Sequence, residues 1–442
     1  MAKRRLISRR AALKGAASAA FSFHFIPRTV LGGPGHTAAS DRLNVAGIGV
    51  GGKGHSDVVG MSSENIVALC DADERRAAGT LKRFPKAKRF SDYRVMFDKM
   101  AAQIDVVTVS TPDHHHAPAS MLALKHGKHV FCQKPLTHSI YEARRLAEVA
   151  REKKVATIMG IQGHCSEHTR QVCEMIWAGW IGDVKEIHYW TDRPIWPQGL
   201  DRPKDTPPAP AGLDWDVWLG PAPQRPYHPA YLPFKWRGWW DFGTGALGDI
   251  GCHAMAAAHW ALNLANPTRI AVETSQRYAE AAPKWSIVTY DIPAATTPAG
   301  KKRPPLKVYW YDGGKVPPRP AELEPGRKMG KGGRMFVGTK GTIFNGRILP
   351  ESRFKEMMKT PPDKTLPRSP GIYKEFLLAC KGGEKTVADF QFSGTLTEMV
   401  LAGNLAVRTG KTIEYDPAKM RCTNLPEANA YVRREYRKGW TL

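Results

Sequence analysis

The sequence predicts an α/β protein: a doubly wound parallel sheet first, then a second α/β domain built on a large, mostly antiparallel open sheet. Three observations predict it. From Leu43 to about residue 162, short β-branched runs alternate with amphipathic helical stretches, the pattern of parallel strands covered by helices on both faces. After about residue 163 that alternation gives way to chain rich in Trp, Pro and Tyr, then to strand-length runs separated by turns, the pattern of an antiparallel sheet. The length, 442 residues, also calls for more than one domain at roughly 150 residues each. We therefore expect a leader over 1–39, a first domain over 40–162 and a second over 163–442.

The leader comes first. Arg9 and Arg10 open "SRRAALKGAASAAF", residues 8–21, with no acidic residue before Asp41. A basic region followed by a weakly apolar run is an export signal rather than a fold element. The run is too short to span a membrane, which takes about 20 apolar residues. Ser8 to Lys14 resembles a bacterial twin-arginine signal, although Ala12 stands where that motif usually has Phe, and it predicts an exported, periplasmic protein without stable membrane insertion.

Formal net charge is +24, from 65 Lys and Arg against 41 Asp and Glu. Seven of the basic residues fall within 1–39, so a processed chain keeps a smaller excess that would steer anionic partners. No zinc-finger spacing, RNA-recognition motif or basic heptad helix occurs, which argues against a nucleic-acid partner. Seven scattered cysteines without a C-x-x-C pair give neither a disulfide framework nor a zinc site.

In the first domain "LNVAGIGV", "NIVALCD", "IDVVTVST", "HVFCQKP" and "VATIMGIQ" read as strands, and "GKGHSDVVGM", "ERRAAGTLKRF", "APASMLALKHG" and "SIYEARRLAEVAREKK" as helices. Ser139 and Glu142 make a capping box for the last of these. In the second domain residues 190–240 read as an ordered extended loop, because its prolines forbid regular helix and its aromatics are unusual in disordered chain. "ALGDIGCHAMAAAHWALNL" reads as a helix. "TRIAVETSQRY", "SIVTYDI", "LKVYWYDG" and "RMFVGTKGTIFN" read as strands, and "GIYKEFLLACKGG" and "GTLTEMVLAGNLAVRTGK" as closing helices, the second ending at Gly410.

Four motifs carry chemistry. Gly47, Gly49 and Gly52 form G-x-G-x-x-G between the first strand and first helix, where backbone amides and a helix N-terminus can hold a pyrophosphate. Nineteen residues later, Asp71 ends the second strand, placed to accept from ribose hydroxyls and to repel a 2′-phosphate. NAD is thereby favoured over NADP, with Arg75 and Arg76 leaving room for the latter. In "STPDHHHAP", three adjacent histidines without partners elsewhere make a poor metal site, and no metal is expected. Thr111, Pro112 and His116 are instead expected to line the nicotinamide side, with Gln133 and Lys134 from "FCQKPL" also against the cofactor. Lys134, before a proline at the carboxyl edge of the sheet, can polarise a hydroxyl or relay its proton. In "GDIGCH", Asp249 and His253 are four apart and share a helix face; His253 is expected to act as base, with Asp249 orienting it or holding a second hydroxyl.

These motifs, in this order and spacing, resemble the glucose-fructose oxidoreductase/inositol dehydrogenase/rhizopine-catabolism (Gfo/Idh/MocA) family of NAD(P)-dependent oxidoreductases. The resemblance implies a Rossmann domain followed by an α/β domain whose open sheet often mediates oligomers, here a homodimer or homotetramer. It implies chemistry on secondary alcohols of sugars and cyclitols, with Lys134, Asp249 and His253 as the catalytic set. Where the family usually has Glu-Lys-Pro, this sequence has Gln133. His164, in the stretch where the domains should meet, and Trp236, Arg237 and Trp240, which lead into the catalytic pair, are the candidate substrate contacts. An exported enzyme would meet little free NAD, so a tightly held cofactor follows. An NAD-dependent glycosidase with a transient keto-sugar, or a non-catalytic NAD-bound carbohydrate-binding protein, are the alternatives.

Overall fold

A computed structural model of the chain describes residues 41–264 and 267–442; the expected leader lies outside the described residues. Strands β1 (Asn44–Ile48), β2 (Asn65–Cys70), β3 (Lys88–Phe90), β4 (Val106–Val109), β5 (His129–Gln133) and β6 (Thr157–Gly160) pair in the order β3-β2-β1-β4-β5-β6. All these pairings are parallel. Val45, Val107, Val130 and Ile158 are fully buried, as strands sandwiched on both faces require.

The crossovers are α1 (Lys53–Gly60), α2 (Glu74–Arg83), α3 (Tyr93–Met100), α4 (Asp113–Lys125) and α5 (Ile140–Lys153). Their starts have chemical causes. Asp73 caps α2 by accepting from the Arg75 and Arg76 amides, Asp92 caps α3, and Ser139 with Glu142 forms the capping box of α5. Strand order reverses between β1 and β4, which opens a crevice at the carboxyl ends of the strands.

Beyond the first sheet, α6 (Glu167–Trp177) leads into β7 (Val184–Trp190). The chain from 192 to 243 is irregular apart from α7 (Trp215–Leu219) and a short 3-10 turn, Lys235–Gly238. Its order comes from burial: Trp218, Tyr231, Trp239 and Phe242 form an aromatic cluster. It is fastened to the first sheet by backbone bonds, Asp214 N–H donating to Ala72 C=O and Glu74 N–H to Gly212 C=O. The loop thereby becomes a wall over the strand ends.

Helix α8 (Gly245–Leu262) follows, then β8 (Arg269–Thr274), β9 (Ser286–Ile292), a two-stranded ribbon of β10 (Ala295–Thr296) and β11 (Lys302–Arg303), and β12 (Leu306–Tyr311). The remaining elements are β13 (Gly333–Gly338), β14 (Thr342–Phe344), β15 (Arg347–Ile348), α9 (Glu351–Met357), α10 (Ile372–Cys380), α11 (Phe390–Thr409), β16 (Ile413–Asp416) and β17 (Arg421–Cys422). Nine strands form the second sheet in the order β15-β14-β13-β7-β12-β9-β8-β16-β17. Every pairing is antiparallel except β12 with β7. Along β9, buried Val288, Tyr290 and Ile292 alternate with the less buried Ile287, Thr289 and Asp291.

Helix α11 is buried along most of its length because it packs on α5 of the first sheet and on α8. The Arg144–Glu398 ion pair joins α5 to α11. At Gly403 a methyl group would come within 2.0 Å of the Tyr290 hydroxyl, so only glycine permits this approach to β9. No described helix is long and apolar enough to cross a membrane.

Candidate active site

A cleft of about 540 Å³ opens at the carboxyl edge of the parallel sheet. Its floor is made by the ends of β1, β2, β4 and β5: Ile48, Gly49 and Gly51 to Lys53, Cys70 to Asp73, Ser110 to Pro112, and Gln133 with Lys134. Val217, Trp218, residues 232–234, Trp236 and Arg237 of the irregular wall face them, and His253 reaches in from α8.

The Gly-rich turn is shaped by close approach. Gly49 has φ +72°, and a methyl group there would lie 2.8 Å from the Ser110 carbonyl carbon and the Thr111 nitrogen. Gly52, at φ +54°, precedes the first turn of α1. Gly47 sits beneath, where a methyl would strike Val50 and Val58 at 2.8 Å. Its place is in the packing of β1 on α1, off the cleft lining.

Asp71 lines the cleft and also braces the turn. Its Oδ2 accepts from the Val50 and Gly51 amides at 2.8 and 3.0 Å, and its Oδ1 from the Asp73 amide at 3.0 Å. Burial raises its pKa despite these donors, which pull the other way. Arg75 is taken up by Asp73, whereas Arg76 lines the cleft beside Gly52. Two cleft residues carry buried polar atoms without a partner among the described residues, Thr111 Oγ1 and Gln162 Nε2. A cradle open only to glycine, a strand-end carboxylate and two unpartnered polar atoms fit a dinucleotide. The turn at Gly49–Gly52, Asp71, Thr111 and Gln162 would hold it.

At the inner end Lys134 Nζ donates to Asp249 Oδ1 at 2.6 Å and to the Asp249 carbonyl at 2.9 Å. Arg237 Nε donates to the same Oδ1 at 2.8 Å. Burial would raise the Asp249 pKa, but the two cations outweigh it and hold the carboxyl below its usual range. The His253 side chain makes no hydrogen bond to Asp249 or any other described residue. The expected Asp–His contact is therefore replaced by an Asp–Lys–Arg group, because both cations reach the carboxylate first. Burial and then the Lys134 charge push His253 down to about 4, so its imidazole is neutral at physiological pH.

Three expected contacts lie elsewhere. His116 is buried off the cleft, its Nδ1 2.6 Å from the Pro135 carbonyl oxygen and its Nε2 2.9 Å from that of Thr111. Burial lowers its pKa, but Cys132 and the two carbonyls outweigh burial and raise it. It ties β4 to the Lys134–Pro135 turn rather than lining the nicotinamide side. His164 is core: its ring stacks on Phe392 at 4.7 Å, and burial pushes its pKa to about 3. Trp240 is buried away from the cleft, with the Arg408 guanidinium over its ring at 5.1 Å. Trp236 and Arg237 do line the cleft. His114 and His115, the remaining members of the triplet, both face the Trp218 carbonyl.

Gln133 lines the cleft with its side chain turned to Asp57: Nε2 donates to Asp57 Oδ2 at 2.9 Å. Ser110 and Tyr373 hydroxyls also donate to Asp57, at 2.7 and 2.8 Å, and Lys53 forms an ion pair with it. A methyl at Gly160 would come within 2.7 Å of three atoms of the Gln133 amide group, so that glycine admits the side chain.

Three residues escaped the sequence reading. Gln162, two residues before His164, lines the cleft from the start of a 3-10 turn, Gln162–Cys165, that follows β6. Asp57, on a polar-looking helix, is fully buried. Asp113, hidden beside the histidine triplet, is also buried; Thr244 Oγ1 donates to its Oδ2 at 2.7 Å, and its Oδ1 has no partner among the described residues. Burial pushes Asp113 up to about 7, reinforced by Asp249 and opposed by Lys134, Thr244 and Arg237. The sequence offers one signal for it, the Asp between Pro112 and the histidines.

Comparison with known proteins bears on the family and the fold. A family model described as "Oxidoreductase family, NAD-binding Rossmann fold" matches residues 42–161, and one described as "Oxidoreductase family, C-terminal alpha/beta domain" matches 190–297. Inositol 2-dehydrogenase of Rubrobacter xylanophilus is 33% identical over 34% of this chain and 44% of its own length. D-glucoside 3-dehydrogenase of Escherichia coli is 26% identical over 50% of this chain and 55% of its own. The chain thus spans about half the length of these curated relatives. The WlbA dehydrogenase of Bordetella pertussis, solved with NADH and UDP-GlcNAcA, shares the fold at a TM-score of 0.56 and 16% identity, covering 85% of this chain and 99% of that one. The chain belongs to the Gfo/Idh/MocA oxidoreductase family and carries its NAD-binding Rossmann domain.

Proposed function

We propose that this chain transfers hydride between NAD and a secondary hydroxyl of a sugar, glycoside or cyclitol, with Lys134, Asp249 and His253 as the working set. Bound NAD would supply the hydride acceptor or donor. The observation that carries the reading is a held cation beside a free base. Lys134 uses two of its three N–H donors on Asp249, leaving one for a substrate oxygen. His253, neutral and unpartnered among the described residues, lines the same cleft and can accept the hydroxyl proton. Asp249 fixes the Lys134 ammonium so that it stabilises negative charge on that oxygen. Relatives named for an inositol and a D-glucoside support the substrate class.

We further propose a periplasmic homo-oligomer, led by a twin-arginine signal over 1–39, with domains at 40–162 and 163–442 and a cofactor loaded before export and retained through turnover. The Ser8–Lys14 motif supports the route, and the wall of residues 217–237 across the cleft supports retention. The test is to purify the protein, record nicotinamide absorbance, and add a panel of glycosides and cyclitols while following reduction of bound cofactor. Reduction by at least one member is expected, with slow exchange of labelled NAD. Release of free sugar without lasting reduction would mark the redox-neutral glycosidase instead. Absence of NAD binding by calorimetry would refute the proposal.

A further inference from the structure

We propose that the substrate of this site carries a carboxylate, as a uronic acid does, and that the free edge of the Arg237 guanidinium receives it. The proposal rests on the reading of the cleft as a sugar site.

The first ground is charge. Lys134 and Arg237 both line the inner end of the cleft, and one carboxylate, Asp249, faces the two of them from behind the lining. The other acid nearby, Asp113, lies off the cleft lining and stays largely protonated below pH 7. His253 is neutral, and the Lys53 charge is already matched by Asp57. One positive charge is left over in a poorly solvated place, where an unmatched ion is costly. An anionic substrate group would neutralise it, whereas a neutral sugar would not.

The second ground is geometry. The Arg237 guanidinium lies 4.2 Å from the Trp236 ring centroid and 4.5 Å from that of Phe234. Its Nε is on Asp249 and its Nη1 donates to the Phe234 carbonyl at 3.3 Å. Nη2 has no partner among the described residues, and the side chain keeps 20% exposure on the cleft. Phe234 itself sits at φ +66°, a left-handed conformation that a non-glycine residue adopts at an energetic cost and that tends to mark ligand clamps. A planar fork packed against two rings, with one corner open, suits a carboxylate better than a hydroxyl.

The test uses NADH-loaded protein and calorimetry with methyl glycosides of glucuronic, galacturonic and mannuronic acid beside their neutral counterparts. At least one acid should bind on the order of tenfold more tightly than its neutral partner, the range of one charge-assisted hydrogen bond. In Arg237→Gln that preference should fall toward unity, and in Arg237→Lys, which keeps the charge but not the planar fork, it should fall partway. Four results overturn the proposal: no acid binds, the wild type shows no preference, the preference survives in Arg237→Gln, or Arg237→Gln weakens NADH binding without sugar, which would give the arginine to the cofactor phosphates. The reading of hydride transfer is tested separately. An acid that binds with preference but reduces no bound NAD would refute that reading and leave the carboxylate site standing. Neutral sugars that reduce NAD without any acid preference would do the reverse.

Discussion

A single oxygen atom, Asp249 Oδ1, holds both Lys134 Nζ at 2.6 Å and Arg237 Nε at 2.8 Å. Asp249→Asn keeps the shape but removes the charge both cations need. We expect cofactor reduction to fall on the order of 10²- to 10³-fold, the range for losing one preorganised electrostatic interaction at the reacting oxygen. Stability should drop by roughly 2 kcal/mol, less than for a fully buried pair, because Lys134 keeps 14% exposure. Stopped-flow reduction of bound NAD and urea denaturation measure the two effects.

Gln133 and Asp57 define a second expectation. Gln133→Glu would set a second carboxylate where the amide now donates to Asp57 at 2.9 Å. We expect a loss on the order of 2–4 kcal/mol at pH 8, partly recovered at pH 5 where one carboxyl takes up a proton. Melting curves at the two pH values decide it.

Asp113 ties stability to pH. Its folded pKa of about 7 lies above the ordinary aspartate value near 4. Between those values the folded chain holds a proton that the unfolded chain has lost, so stability falls as pH rises through this window. The gap corresponds to on the order of 4 kcal/mol. Asp113→Asn should flatten that part of the profile, gaining stability relative to wild type at pH 8 but not at pH 4. Urea denaturation across pH 4 to 8 measures it.

Gly49→Ala places a methyl 2.8 Å from the backbone at Ser110–Thr111, in a residue at φ +72°. We expect destabilisation by about 1–3 kcal/mol and NAD affinity at least tenfold weaker, read by calorimetry.

The alternation of β-branched runs and helical faces made the first sheet legible, and Ser139–Glu142 marked a helix start that the structure reproduces. Less legible were α3, with its charged surface, and β7, whose mixed run from Val184 to Trp190 lacks simple alternation because most of it is buried. Sequence spacing could show that Asp249 and His253 share a helix. It could not show that Arg237, twelve residues earlier, turns back onto the same carboxylate, since that depends on a 3-10 turn inside an irregular wall. His164 and Trp240 were misplaced for a related reason: near a site in sequence, each is drawn into core by aromatic and cationic neighbours.

The central claim is that His253 takes the hydroxyl proton and Lys134, fixed by Asp249, stabilises the oxygen while NAD takes the hydride. Its most direct test is a single turnover with purified, NAD-loaded protein and a glycoside that binds, followed by nicotinamide absorbance in wild type, Lys134→Ala and His253→Ala. The account predicts reduction of bound NAD in wild type and a loss on the order of 10²-fold or more in both variants, with sugar binding retained in His253→Ala. Equal reduction rates in all three proteins would contradict it.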